Sequence, residues 1–159
     1  NTHPEIRKEL KKQFGTTIYT PQEQIDKPRL AHLIFNDTRA LSTINGIVHP
    51  KVMQDFRQWS LQQNNKLVFF ESAILFEAGL GTFFNSVICV TAPESLRISR
   101  VVNRDRTTPG QVKERIRNQL DNTFKCRQAD FIIHNDRIHL ILEQLMKILP
   151  QLNDEKQHK

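Results

Sequence analysis

The chain has 159 residues, the size of one ordinary domain with a single core or of one domain carrying a small insertion. It is 38% hydrophobic and 25% charged, with ten Phe, one Trp and one Tyr to fill a core, which excludes wholesale disorder. The net charge of +6 is carried by one stretch: residues 97 to 127 hold nine basic side chains, seven of them Arg, against Asp105, Glu114 and Asp121. The rest of the chain balances to zero, so an anionic partner is drawn to one place. Arg's planar fork suits phosphate, and the expected partner is a polyphosphate or a nucleic acid.

In chain order, Thr2 followed by Pro4 predicts a helix start, with Ile6, Leu10 and Phe14 on one face until Gly15 stops it. Asp26 is placed to cap a short helix carrying Leu30, Leu33 and Ile34. Asp37 can cap another, with Leu41, Ile44, Ile47 and Val48 on its buried side. His49-Pro50 is expected to break that run, and Pro50 to open a further helix bearing Val52, Phe56 and Trp59. Residues 1 to 64 thus read as helix and loop throughout.

The pattern changes at Lys66. Residues 66–71 and 86–91 are short runs rich in β-branched and aromatic side chains, and they read as buried parallel strands. Helices are expected from Pro93 to Asn103 and from Pro109 to about Arg127, then a third strand over 131–134 and a last amphipathic helix over 138–149. The tail after Pro150 reads as disordered. A sheet of only these three strands would be thin and exposed. No apolar run approaches the length of a membrane helix and the start shows no basic-then-apolar leader, so a soluble, cytoplasmic protein is expected. Cys89 and Cys126 lie at neither metal-ligand nor redox-pair spacing, which argues against a disulfide.

Five glycines cannot assemble a phosphate cradle, and no nucleotide-binding glycine motif or nucleophile elbow occurs. The six His are scattered and form no zinc-binding pair. What stands out is Arg100 and Arg104, four apart on one helix face, followed by the turn Thr107-Thr108-Pro109-Gly110 and a second basic helix that comes straight back. Such a hairpin can close over a phosphate chain and neutralise charge developing in phosphoryl transfer; a solvated, salt-bridged helix pair fits the same pattern equally well. Glu71 and Glu77 flank Ser-Ala-Ile-Leu-Phe where open α/β sheets place their ligands, although a cap or a solvated loop residue is the commoner role for either.

Six runs of the chain resemble one family, the dephospho-coenzyme A kinases. They are Leu30 to Asp37, Ile47 to Val52, Glu71 to Glu77, Arg100 to Asp105, Arg115 to Gln119 and Ala129 to Asn135, in family order and at family spacing. The resemblance implies an α/β fold, a P-loop kinase-like three-layer parallel sheet with a helical CoA-binding part and a helical lid. In those terms residues 1–64 are the helical CoA-binding part, 65–92 core strands, 93–127 the lid helices, and 128–159 a core strand and the C-terminal helix. It implies ATP-dependent phosphorylation of the ribose 3′-hydroxyl of dephospho-CoA, the last step of coenzyme A synthesis, with ATP and Mg2+ as cofactors and no nucleic acid or membrane partner. By the same similarity Arg100 lies against the adenine, and Arg104 reaches the transferring phosphate as the catalytic residue. Asn135 opens the adenine-side loop, Glu71 stands near the magnesium, and His49, Leu75, Phe76 and Glu77 line the acceptor side.

The family begins with a strand, a glycine-rich Walker A loop and an Asp-bearing segment that supplies the general base, and all of these would precede Asn1. The first strand or strands are therefore expected to be missing from this chain, and the 159 residues alone to be inactive. Ala73 stands where relatives usually carry Pro. Two other readings compete with the enzyme: a basic module gripping RNA or DNA, and a fragment that holds CoA or dephospho-CoA without chemistry. Base stacking would need aromatics among the basic residues, and from 97 to 127 there is only Phe124.

Overall fold

Asp26 and Asp37 fix where two helices of the first half begin. The computed structural model describes residues 3–154, and in it the Asp26 carboxylate accepts from the Arg29 amide at 3.1 Å to cap α2 (Lys27–Asn36). Asp37 accepts from the amides of Arg39 and Ala40 at 2.8 and 3.2 Å to cap α3 (Thr38–Leu61). Each carboxylate satisfies a donor that the first helical turn leaves without a partner. Ahead of them, α1 (Pro4–Phe14) has Pro at its first position and is capped by His3, whose Nδ1 accepts from the Glu5 amide. Thr2, the expected start, lies outside the described residues. Gly15, at φ +76°, takes the left-handed backbone that ends α1.

The chain divides into two compact units, Asn1–Val68 and Phe69–Lys159. In the first, Ile6 and Leu10 of α1, Ile18 and Tyr19 after it, and Ile44 of α3 are buried together, with Leu30, Leu33 and Ile47 among the half-buried side chains around them. The expected break at His49-Pro50 does not occur, because α3 runs on through Pro50 to Leu61. A proline inside a helix removes a hydrogen bond to the carbonyl four residues back. That residue is Gly46, and both it and Pro50 are exposed, so water can take the place of the missing donor.

The second unit holds a parallel pair, β1 (Ile88–Thr91) and β2 (Phe131–His134), in register Ile88 to Phe131 through Thr91 to His134. Residues 66–71 are a correction: among the described residues they join no ladder, and Phe69 remains 61% exposed. High β-propensity marks a segment that suits a pleated surface, but a strand exists only where a neighbour takes its backbone groups. The expected second strand begins two residues later than its apolar run, because the Val87 amide goes to the Asp130 carboxylate instead.

The helices of this unit also depart from simple periodicity. After β1, α4 (Glu94–Asp105) ends at Arg106 in the left-handed region, φ +51°. The turn leads into α5 (Pro109–Arg117), where Thr108 and Gln111 form a reciprocal capping box. One helix was expected from Pro109 to Arg127, whereas the structure breaks it at Asn118 and restarts it as α6 (Asn122–Gln128). Asp121 caps α6 through the amides of Thr123 and Phe124. The last helix, α7 (Ile141–Asp154), starts three residues late because Asp136 holds the amides of Ile138 and His139 in a turn. It continues past Pro150, where disorder was expected, and Leu152 of its final turn is buried. Residues 155–159 of that tail lie outside the described residues.

Candidate functional site

The basic hairpin is the pair α4 and α5. At its tip Arg104 is 75% exposed and donates from Nε to Asp105 Oδ1 at 2.7 Å, while Arg115 Nη1 reaches Asp105 Oδ2 at 3.3 Å. Asp105 is therefore clipped between one Arg from each helix. The hydrogen bond from Arg104, and the weaker one from Arg115, hold its carboxyl below the usual carboxylate range. The Arg104 guanidinium is bound to a neighbouring surface carboxylate, a partner it can exchange at little cost.

Arg100, one turn nearer the sheet, is anchored differently. Its Nη1 donates to the Asn135 backbone carbonyl at 2.8 Å and its Nη2 to Asn135 Oδ1 at 3.1 Å. Asn135 follows directly on β2, and its amide donates to the Thr91 carbonyl at the end of β1. Two residues 35 apart in sequence thus meet at the carboxyl end of the parallel pair, where open α/β sheets carry their ligands. Beyond Asn135, Asp136 is held well below its ordinary range by the amides of His139 and Ile138 and by the His139 ring.

Glu77 turns out to have a mechanical task. Its Oε1 accepts from the Leu120 amide at 2.9 Å and from Lys125 Nζ at 2.6 Å, and Lys125 also donates to the Ala73 carbonyl. The carboxylate therefore ties α6, and the break before it, to the turn at residues 73–79 that carries Leu75 and Phe76. Burial pushes the Glu77 carboxyl up, but the bonds from Lys125 and Leu120 outweigh it and leave it lowered overall. A carboxyl lowered on folding adds stability above its unfolded value and loses it as pH falls through the folded one. Glu77→Gln is accordingly expected to cost about 1 kcal/mol at pH 7, near the low end for a bond to a charged group because the pair keeps some contact with water. Thermal midpoints of the two proteins should converge as pH falls below the ordinary carboxylate range and through the lowered folded value, where the wild-type carboxyl is itself protonated. A difference that stays constant across the pH series would reject the charge-assisted tie.

Glu71 is exposed in the irregular segment, and His49 is half-buried on α3 in the first unit. Among the described residues no three His, Cys, Asp or Glu side chains converge as a metal site. Two features escaped sequence reasoning. An open pocket of about 260 Å³ lies between α4, α5 and α6, lined by Arg97, Arg117 and Lys125 together with Glu94 and Asp121, and Arg97 Nε is itself buried without a partner among the described residues. Its spacing from Arg100 and Arg104 puts all three on one face of α4, which is the signal that could have found it. The second is that Cys89 and Cys126 lie side by side, Sγ to Sγ 3.2 Å, a proximity no spacing rule contains.

A sequence profile described as dephospho-CoA kinase matches residues 2–139. Dephospho-CoA kinases from Bacteroides fragilis (strain YCH46) and Porphyromonas gingivalis are 36% and 32% identical, with 93% and 98% of this chain aligned to 72% and 78% of theirs. A crystal structure of a Thermus thermophilus protein superposes with a TM-score of 0.76 at 28% identity, covering 93% of this chain and 75% of that one. The dephospho-CoA kinase of Campylobacter jejuni shares the fold, with a TM-score of 0.55 at 23% identity over 96% of this chain and 78% of its own. The observed α/β arrangement, a parallel pair flanked by helices with a basic hairpin after β1, is that of a P-loop kinase-like fold. With the profile spanning both units, the chain belongs to the dephospho-CoA kinase family and is a phosphotransferase of coenzyme A synthesis.

Proposed function

We propose that the protein transfers the γ-phosphoryl group of ATP to the ribose 3′-hydroxyl of dephospho-CoA, in the cytoplasm and with Mg2+. The observation that carries this reading is the family match over residues 2–139, which includes the whole basic hairpin and the loop after β2. The geometry supports a division of labour. Arg104, exposed at the hairpin tip, exchanges Asp105 for the transferring phosphate and stabilises the charge that spreads over its oxygens. Arg100, fixed by two bonds to Asn135, presents a planar guanidinium on the adenine side. His49, Leu75 and Phe76 serve the acceptor side, and Glu77 serves it indirectly by holding the turn of Leu75 and Phe76 against α6.

Glu71 is an exposed carboxylate, which fits a Mg2+ that takes one or two carboxylates and completes its shell with phosphate oxygens and water. The ion, when bound, neutralises the charge of the β- and γ-phosphates. The reading is tested by incubating the protein that bears this chain with ATP and dephospho-CoA and following product mass. Gain of one phosphate, abolished by chelating the divalent metal, is expected. Absence of that gain at saturating ATP and Mg2+ would overturn the assignment. Retention on RNA is expected to be negligible at physiological salt, given the single aromatic among the basic residues.

A further inference from the structure

Cys89 sits on β1 and Cys126 on α6, both half-buried, and their Sγ atoms are 3.2 Å apart with the thiols free. A disulfide bond is about 2.04 Å long, so the sulfurs need to close by only about 1.2 Å to be joined. The two residues also bracket the hairpin: α4 follows β1 after two residues, and α5 leads through the break at 118–121 into α6. A covalent link between them would close the base of the segment that carries Arg100 and Arg104. The packing around the pair is already fixed, since Asn122 Nδ2 donates to Thr91 Oγ1 at 2.7 Å and lies 3.8 Å from Cys126 Sγ.

We propose that Cys89 and Cys126 are a reversible redox site, oxidised by low-molecular-weight disulfides to an intrachain disulfide that staples α6 to β1 across the base of the hairpin. Burial first, and then the hydrogen bond with Cys126, in which either sulfur can be the donor, push the Cys89 thiol up to about 12 and favour its protonated form. Cys126 is then the attacking sulfur. Its thiolate displaces one thiolate from the small disulfide and forms a mixed disulfide on Cys126. Cys89 next gives its proton to solvent and attacks Cys126 Sγ, expelling the second small thiol. Two protein thiols are oxidised and one small disulfide is reduced to two thiols, so atoms and electrons balance.

The test uses oxidised glutathione on the protein that bears this chain, followed by maleimide labelling and peptide mass analysis. The expected product has Cys89 and Cys126 linked in one peptide pair lighter by two hydrogens, unlabelled, and restored to two labelled thiols by dithiothreitol. Cys89→Ser is expected to accumulate one glutathionyl group on Cys126, because the resolving sulfur is gone. Cys126→Ser is expected to leave Cys89 largely unmodified. Two labelled thiols in the oxidised wild type, or a stable glutathionyl adduct there, would overturn the site. Equal glutathionylation of Cys89 in the Cys126→Ser protein would overturn the assigned order. These readouts are covalent and do not depend on phosphoryl transfer, so they stand apart from the proposed function.

Discussion

Replacing Arg104 by alanine is expected to lower kcat/KM for phosphorylation of dephospho-CoA by about 10²- to 10³-fold, the loss typical of removing one donor aimed at transition-state charge. The side chain is 75% exposed and its partner is the adjacent Asp105, so its removal costs the fold little. The thermal midpoint should therefore stay within a degree or two of wild type while the rate falls. Arg104→Lys should recover only part of the loss, because an ammonium restores the charge without the planar fork that fits phosphate oxygens. The measurement is steady-state transfer in the protein that bears this chain, at saturating ATP and Mg2+. An unchanged rate in Arg104→Ala would remove Arg104 from the transfer step, and an equal collapse of the midpoint would make its role structural.

The parts of this architecture that sequence reveals are those fixed by neighbours in the chain. Asp26 and Asp37 cap α2 and α3 where the pattern puts them, because a cap acts on amides two or three residues ahead. β2 coincides with its apolar run, 131–134, and finds the parallel partner its composition requires. Some departures of the structure from the prediction are decided by a remote contact. The single helix expected over 109–127 breaks because Glu77, 43 residues upstream, takes the Leu120 amide and Asp121 then caps a new start. The period of the apolar residues carries no trace of that bond. Residues 66–71 have the composition of a strand, and what they lack among the described residues is a neighbour, which composition does not encode. Pro50 fails as a breaker because Gly46 and Pro50 face water, a fact of exposure that the identity of the residue does not give.

The candidate site divides along the same line. The +6 stretch and the spacing of Arg100 and Arg104 are local, so the pair of basic helices is legible in the sequence, as a phosphate clamp or as a salt-bridged surface pair alike. The clasp of Arg100 on Asn135, the tie of Glu77 to Leu120 and the meeting of Cys89 with Cys126 span 35, 43 and 37 residues, and each needed the parallel pair and the α4 to α6 succession to form. Glu77 shows the consequence most directly. Similarity assigns it to the acceptor side, whereas the bonds the structure shows tie its carboxylate to Leu120 and Lys125 and so fix the turn at 73–79 against α6.

The second large effect is expected at Leu10. It is 1% exposed at the centre of the first unit, where α1 brings it and Ile6 against Ile18, Tyr19 and Ile44. Leu10→Ala removes three buried carbons from a cluster whose members come from three separate elements, so no single side chain can move to fill the space. The expected cost is about 3 kcal/mol, within the 2–5 range for such truncations and a large fraction of the 5–15 kcal/mol that holds a domain folded. Tyr19→Phe is the matched control: its hydroxyl is buried with no hydrogen-bond partner among the described residues, so losing it keeps the volume and sacrifices no bond. Hydrogen exchange on the intact protein should show faster exchange through α1 and α3 in Leu10→Ala and wild-type protection in Tyr19→Phe. If instead Tyr19→Phe costs as much as Leu10→Ala, the hydroxyl has a partner and the cluster is held by a polar contact as well as by packing. If Leu10→Ala exchanges like wild type, residues 6–44 do not form the cooperative core that the caps at Asp26 and Asp37 and the apolar faces of α1 and α3 build.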